Sequence, residues 1–318
     1  MPSKLTRKGW IEKYLIPLED ASTLQIIDIP GASALEAQPW TFLKMASLWS
    51  FAHYTYLPII KRHYPNAIYV DLFSGPGLTY DKASRRKFIE TALLMATINS
   101  SKGGFTKCVF VEQNDEYAHS LEERLKRLRD NGRLTCDEYI VLPGDCNALV
   151  DRVAKETNIP NSHIMLFVDP FGFNCKFSTI QRFIESGPAF DMFFNLQVGS
   201  LARSLGRDAS GVTEEVMLRE FFPDDSWMEC KDSQDYRQCL KERYIDCLLK
   251  YGGNKIHRVE PIMISGSSDY YHYLLFTSRK VQSGWLHGIE RIRKMVEAYD
   301  YNSIKHYLTG GRTLDDFH

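Results

Sequence analysis

The sequence predicts an α/β protein built on a doubly wound, mostly parallel sheet, and three observations carry that expectation. An apolar run, Tyr69-Val70, ends on Asp71 and breaks into the glycine-bracketed turn Leu72-Phe73-Ser74-Gly75-Pro76-Gly77. A strand, an acid and a glycine turn in that order place a ligand at the carboxyl end of a parallel sheet. Two further strand-like runs, Lys107–Val111 and Ile164–Val168, also end on acids, Glu112 and Asp169. The second of these runs is apolar throughout, as strands covered on both faces are.

At 318 residues the chain has room for one large α/β domain with additions, or for two smaller ones. Its 44% apolar and 13% aromatic content supplies a core and argues against disorder over most of the length. A net charge of −1 gives no global electrostatic case for nucleic acid, and leaves open a local basic face. Seven cysteines, at 108, 136, 146, 175, 230, 239 and 247, form no C-x-x-C pair. Neither a disulfide framework nor a zinc site is expected, and a reducing cytoplasm fits. No leader or membrane span is expected, since the longest apolar runs, such as Ala92–Ala96, are far too short.

Residues 1–38 form a peripheral segment with a short helix near Trp10–Leu15 and a Pro30-Gly31 connection. From Pro39 to about His63 the pattern is helical, with Leu43, Leu48, Phe51, Ala52, Tyr56 and Ile59 in an apolar stripe. Lying just ahead of the first strand, this helix is expected to cover the ligand end. Its aromatics are core, with base stacking as the alternative.

The turn after Asp71 separates two classes of ligand. A G-x-G-x-x-G dinucleotide fingerprint needs its third glycine for close helix packing and offers a helix N-terminus to a pyrophosphate. Here Gly75-Pro76-Gly77 runs on to Leu78-Thr79-Tyr80. The D-x-F-x-G-x-G arrangement suits S-adenosylmethionine (SAM) instead, a sulfonium without phosphates. Asp71 orients the turn and attracts the methionyl ammonium, Phe73 stands beside it, and Gly75 and Gly77 let the backbone approach the ligand.

Lys82, Arg85, Arg86 and Lys87 make a basic loop ahead of a helix expected over Phe88–Asn99. The loop is either a solvated surface or, through Arg85 and Arg86, a phosphate contact. Glu112 ends the second strand, where an acid accepts hydrogen bonds from adenosine ribose hydroxyls. It lies 35 residues past Gly77, more than the roughly 20 usual, and the basic loop accounts for the excess. Glu116–Asp130 is an amphipathic helix with Leu121, Leu125 and Leu128 inside and Glu122, Glu123, Arg124, Lys126 and Arg127 outside. After a third strand, Tyr139–Leu142, Asp145 and Cys146 face the adenine end of the pocket; equally, Asp145 caps the next helix and Cys146 is a small buried hydrophobe.

The fourth strand ends at Asp169-Pro170-Phe171-Gly172-Phe173. In methyltransferases that modify an amino nitrogen on a base, a D-P-P-Y turn holds the target: the acid and a backbone carbonyl accept the amine protons and an aromatic ring stacks. Asp169 and Pro170 agree with that turn, Phe171 and Gly172 depart from it, and Phe171 or Phe173 is left to stack. A fifth strand, Asp191–Leu196, brings Asn195 to the same edge, with Gln197 just beyond. Residues 203–250 are a polar helical insertion. Ile256–Ile264 and Tyr270–Phe276 make a hairpin, and Trp285–Ala298 a helix carrying Arg291, Arg293 and Lys294.

Together these elements resemble the SAM-dependent methyltransferase fold. At closer range the chain is similar to the three-Cys-motif partner family, on Thr41–Lys44, Tyr69–Gly77, Phe167–Gly172 and Tyr273–Ser278, across roughly residues 40 to 295. The resemblance implies a Rossmann-like sheet, commonly of seven strands with an antiparallel last strand, over 39–202 and 251–300, with a tail at 301–318. It also implies a partner, a separate protein with a three-cysteine cluster that looks like a radical-SAM enzyme. The expected function is methyl transfer from SAM to an amino group of a nucleobase or nucleic acid. Asp71, Phe73, Gly75, Gly77, Glu112, Asp145 and Cys146 are the expected cofactor residues; Asp169, Pro170 and Phe171 handle the acceptor, with Phe173, Asn195, Arg85 and Arg86 at the substrate. Asp169 orients the amine and takes its proton. Displacement from an activated sulfonium asks mainly for alignment and exclusion of water, so no metal is called for. Two alternatives stand: a SAM-fold partner subunit without catalysis, and a nuclease with Mg²⁺ on Asp71, Glu112, Asp145 and Asp169.

Overall fold

A computed structural model of the chain describes residues 13–185, 187–199, 212–266, 271–279, 284–297 and 301–308. Through them run β1 (Leu35–Ala37), β2 (Asn66–Asp71), β3 (Leu78–Asp81), β4 (Lys87–Ile89), β5 (Lys107–Glu112), β6 (Glu138–Pro143), β7 (Ser162–Val168), β8 (Ala189–Leu196), β9 (Arg258–Ser265) and β10 (Tyr271–Ser278). Seven of these form one sheet in the order β6-β5-β2-β7-β8-β10-β9. It is parallel from β6 to β8 and antiparallel where β10 joins β8 and β9, the architecture expected from the sequence.

β2 is the pivot. The chain winds from β2 through β5 to β6 on one side, then crosses back to β7 on the other. The carboxyl ends of β2 and β7 therefore flank a topological switch point, where open α/β sheets bind ligands. Asp71 is in register with Phe110 of β5 and Phe167 of β7, which leaves Glu112 and Asp169 each two residues beyond it on the neighbouring strands.

Alternating side chains fill both faces of the sheet. Ala67 and Tyr69 of β2 join a core with Phe42, Phe51, Tyr56, Phe110 and Phe193. Ile68 and Val70 face a second core with Val109, Leu166, Phe194 and Tyr244. The leading helix, Pro39–Phe51, lies on the first face, with the Phe51 ring 5.0 Å from that of Phe193. It is buried well beyond one stripe, because helices Trp285–Glu297 and Tyr301–Leu308 also pack against it. On the second face, helices Val212–Phe221 and Tyr236–Tyr251 bury Leu218, Phe221, Leu240 and Tyr244. The described part of the insertion thus covers the sheet.

Several expectations need correction. Residues 82–86 are a loop, but it joins the two strands of a hairpin instead of leading into a long helix: β3 and β4 pair and, with β1, form a three-stranded sheet. That pairing uses residues 87–89 and confines the helix to Thr91–Ala96. The segment before 38 is not merely peripheral, since it supplies β1. Arg124, expected outside, is fully buried. Its guanidinium donates to the carbonyls of Ile27 (2.9 Å), Ser33 (2.7 Å) and Pro76 (2.6 Å), because helix Ala21–Ile27 lies over helix Asp115–Asp130. In the expected tail, Tyr301–Leu308 is a helix that buries Ile304 and Leu308.

Cys230 and Cys239 form a disulfide where no disulfide framework was expected, because folding joins a 3₁₀ turn to the start of the next helix. The other five cysteines are buried thiols. Residues 10–12 of the expected first helix, Tyr270 and Ala298 lie outside the described residues. Among the described residues, no helix is long and apolar enough to cross a membrane.

Candidate active site

β2 delivers the chain to a turn whose backbone is pinned. Asp71, 1% exposed, accepts hydrogen bonds from the Phe73 N–H (3.1 Å) and the Tyr69 hydroxyl (3.1 Å). The Ser74 N–H donates to the Val111 carbonyl (3.0 Å) and the Gly75 N–H to Glu112 Oε2 (2.8 Å), so the turn is tied to the end of β5. Gly75 and Gly77 have φ of +63° and +88°, a region that disfavours L side chains. A Cβ on Gly75 would lie 2.9 Å from Glu90 Oε2, and one on Gly77 2.9 Å from the Leu93 side chain. Gly77 therefore serves close packing under helix Thr91–Ala96.

A cavity of about 320 Å³ opens beside the turn. From the expected cofactor set it is lined by Asp71, Phe73, Gly75 and Glu112, and from the acceptor and substrate set by Asp169, Phe171 and Asn195. Three strand-end acids thus meet at one edge. The remaining expected residues do not line it. Asp145 caps helix Cys146–Thr157, accepting from the Asn147 N–H and side-chain amide at 2.9 Å, and Cys146 is buried in the second core. The Pro170 carbonyl accepts from Gln197 Nε2 at 2.8 Å. Phe173, expected as a stacking platform, instead packs edge-on against Phe221 in the second core. Arg85 lies over the Tyr80 ring, while Arg86 pairs with Glu19 and donates to the Tyr307 carbonyl (2.8 Å).

Folding adds contacts and residues to which the sequence reading gave no role in the site. Lys44, on the leading helix, ion-pairs with Asp169. Asn195 Nδ2 donates to the other Asp169 oxygen at 2.6 Å. Glu90, just before helix Thr91–Ala96, accepts from the Gly77 N–H at 2.8 Å. Glu36 of β1, Trp40 and His272 of β10 complete the wall. A lysine inside the run Leu43-Lys44-Met45-Ala46 was the one local signal, since a charge amid apolar helix positions is buried only with a partner.

The cavity is electrostatically lopsided. Glu36, Asp71, Glu90, Glu112 and Asp169 line it against a single Lys or Arg, Lys44. Burial pushes Asp71 up to about 7; the hydrogen bonds from Phe73 and Tyr69 offset part of this, while Asp169 and Glu112 add to it. Burial likewise lifts Glu90 to about 8, against the Gly77 N–H and Arg124, with Asp71 and Glu112 reinforcing it. His272 is driven down to about 3 by burial and by Lys44, so it is neutral at physiological pH.

No protein-family model matches the chain, and no curated protein does. The similarity to the three-Cys-motif partner family therefore remains an expectation. Solved structures with a similar course include an O-methyltransferase from Bacillus cereus in complex with SAH, at 14% identity and TM-score 0.44, covering 86% of this chain and 100% of that one. Another is TYW2 from M. jannaschii in complex with AdoMet, at 10% identity and TM-score 0.40, covering 75% and 74%. A third is TomG from Streptomyces achromogenes in complex with SAM, at 14% and 0.39, covering 82% and 88%. Likeness at this level does not reach the chemistry of the site.

Proposed function

We propose that this chain is a SAM-dependent methyltransferase whose donor lies in the cavity beside Gly75. The observation that carries this reading is the course of the chain after the glycine turn. It enters strand β3, so no helix starts on the turn itself to hold a pyrophosphate, and the next helix, Thr91–Ala96, begins only after the hairpin with the Glu90 carboxyl at its first turn. The turn is surrounded instead by Asp71, Glu90 and Glu112, a setting that repels phosphate and attracts a ligand carrying ammonium and sulfonium charges. Glu112 engages two backbone N–H groups, of Gly75 and Asn114, and each carboxylate oxygen keeps a lone pair for a ribose hydroxyl.

SAM supplies an activated methyl group. The chain supplies alignment: the glycine turn fixes the donor, the sheet edge sets the acceptor opposite, and the leading helix through Trp40 and Met45 narrows access for water. A nucleobase amino group as acceptor draws support from Asp169 and from Phe171, which is 71% exposed and free to stack at the cavity. Against it, Asp169 is already engaged by Lys44 and Asn195, and the Pro170 carbonyl by Gln197. The nuclease alternative finds little footing: among the described residues, no three His, Cys, Asp or Glu side chains are placed to hold a metal ion.

Calorimetry of the full chain with SAM and with S-adenosylhomocysteine tests the donor site. Binding that weakens at least tenfold in Asp71→Asn is expected, and a folded protein that binds neither compound refutes the reading. Transfer of labelled methyl groups into nucleic acid and small-molecule pools separates an enzyme from a non-catalytic partner subunit.

A further inference from the structure

Lys44 is the cavity's one cationic anchor, and its chemistry bears on the acceptor. The residue is 8% exposed, held in the wall by the leading helix. An ammonium has three N–H donors. One reaches Asp169, and the other two have no partner among the described residues. Beside it, Asn195 is 2% exposed, donates one amide N–H to Asp169, and keeps a buried Oδ1 without a partner. One carboxylate thus holds two side chains that each lack a ligand-side hydrogen bond. His272 brings no second cation, and the acids gather around the glycine turn.

We propose that the methyl acceptor is an oxygen nucleophile, a carboxylate or an acidic phenolic or enolic hydroxyl, bound as its oxyanion to the Lys44 ammonium. The inference rests on the SAM reading of the same cavity and narrows its acceptor from any nucleophile to oxygen. An amine has no counterpart for the two unfilled Lys44 donors, and it would have to share with Lys44, Asn195 and Gln197 the lone pairs left on Asp169 and the Pro170 carbonyl. An oxyanion accepts from Lys44 directly, and a charge-assisted bond of that kind is about twice as strong as a neutral one. A donor group elsewhere on the same acceptor satisfies Asn195 Oδ1.

The step balances without further reagents. A hydroxyl acceptor gives its proton to solvent on binding, and a carboxylate has none to give. The oxygen lone pair then forms the O–CH₃ bond as the S–CH₃ bond breaks, its electron pair passes to sulfur, and the products are the O-methyl compound and neutral S-adenosylhomocysteine. Asp169 and Asn195 are positioning residues for Lys44.

The test uses the full chain, methyl-labelled SAM, and pooled small-molecule and nucleic-acid extracts. The linkage of the label is read chemically: base releases methyl esters as methanol, ether cleavage releases aryl or enol ethers, and N-methyl groups survive both. The expected result is label on oxygen. Lys44→Met should raise the acceptor KM roughly tenfold to hundredfold, as for loss of a hydrogen bond to a charged group, with SAM affinity unchanged, and Lys44→Arg should restore part of it. Label on nitrogen or carbon, full transfer by Lys44→Met, or SAM binding with no label in any pool would overturn the inference while leaving the donor site standing. Failure of the wild-type chain to bind SAM would instead bring down the donor reading beneath it.

Discussion

Donor binding should be strongly proton-linked, and the structure sets the scale. Asp71 and Glu90 titrate near 7 and 8 in the empty site, so at pH 6 both carry protons, and a ligand that needs them ionised must displace those protons. Asp71 is then one unit, and Glu90 two units, below its midpoint. The α-amino group of SAM is itself half deprotonated near pH 8, which limits the useful window to pH 6 through 7.5. Across it the two carboxyls together give a gain in affinity of roughly two-hundredfold, about 3 kcal/mol at 1.36 kcal/mol per tenfold.

At pH 7, roughly one to two protons should leave with each SAM bound. Calorimetry in phosphate and in Tris reads this directly, because the buffers differ in ionisation heat and the apparent enthalpies must diverge. Glu90→Gln keeps an acceptor for the Gly77 N–H and should remove the larger part of the slope, and Asp71→Asn the smaller. Equal enthalpies in the two buffers, with affinity flat from pH 6 to 7.5, would refute the reasoning.

The same carboxyls should shape the stability of the empty protein. Their folded values lie above the unfolded values near 4, so between about pH 4 and 8 the folded state binds more protons and stability falls as pH rises, levelling off beyond. For Asp71, raised from 3.8 to about 7, the ceiling is on the order of 4 kcal/mol; Asp71→Asn should flatten the corresponding part of the Tm profile, and an unchanged profile would count against its burial as an acid. Asp224 works the other way: hydrogen bonds from Ser226, Lys250 and Tyr251 lower it, and that contribution, present above its unfolded value, is lost as pH falls. Arg124→Met leaves the Ile27, Ser33 and Pro76 carbonyls without their donor. It should cost about 3 kcal/mol in urea unfolding and weaken SAM binding, because Pro76 lies inside the glycine turn; a loss under 1 kcal/mol would show the guanidinium to be dispensable.

What was legible in the sequence follows from where the information resides. Asp71, Glu112 and Asp169 end their strands, and parallel strands align their carboxyl ends, so a local pattern was enough to bring them together. Asp145 also ends its strand's loop, but the sequence left its two roles open; it caps helix Cys146–Thr157 and does not line the cavity. Lys44 and Glu90 reach the cavity from a helix and from the end of a hairpin, and no spacing relates them to the strands. Arg124 shows the limit most clearly. Its helical position falls among charged residues on the outer side, and only the segment that folds across that face turns it into a buried clamp on Pro76.

The hairpin after the turn explains why so many acids can gather there. A helix starting directly after Gly77 would place partial positive charge and free N–H groups at the turn, and would draw an anion. Instead β3 pairs with β1 and β4, and the turn's own donors are occupied: the Gly75 N–H by Glu112 and the Gly77 N–H by Glu90. With those donors engaged by carboxylates, the turn presents chiefly acceptor oxygens to the cavity, and such a surface selects a cation. The same charge distribution directs an anion elsewhere. Among the Lys and Arg side chains that line the cavity, only Lys44 is left to receive it, so the sorting of charge that favours a sulfonium donor also favours an anionic acceptor.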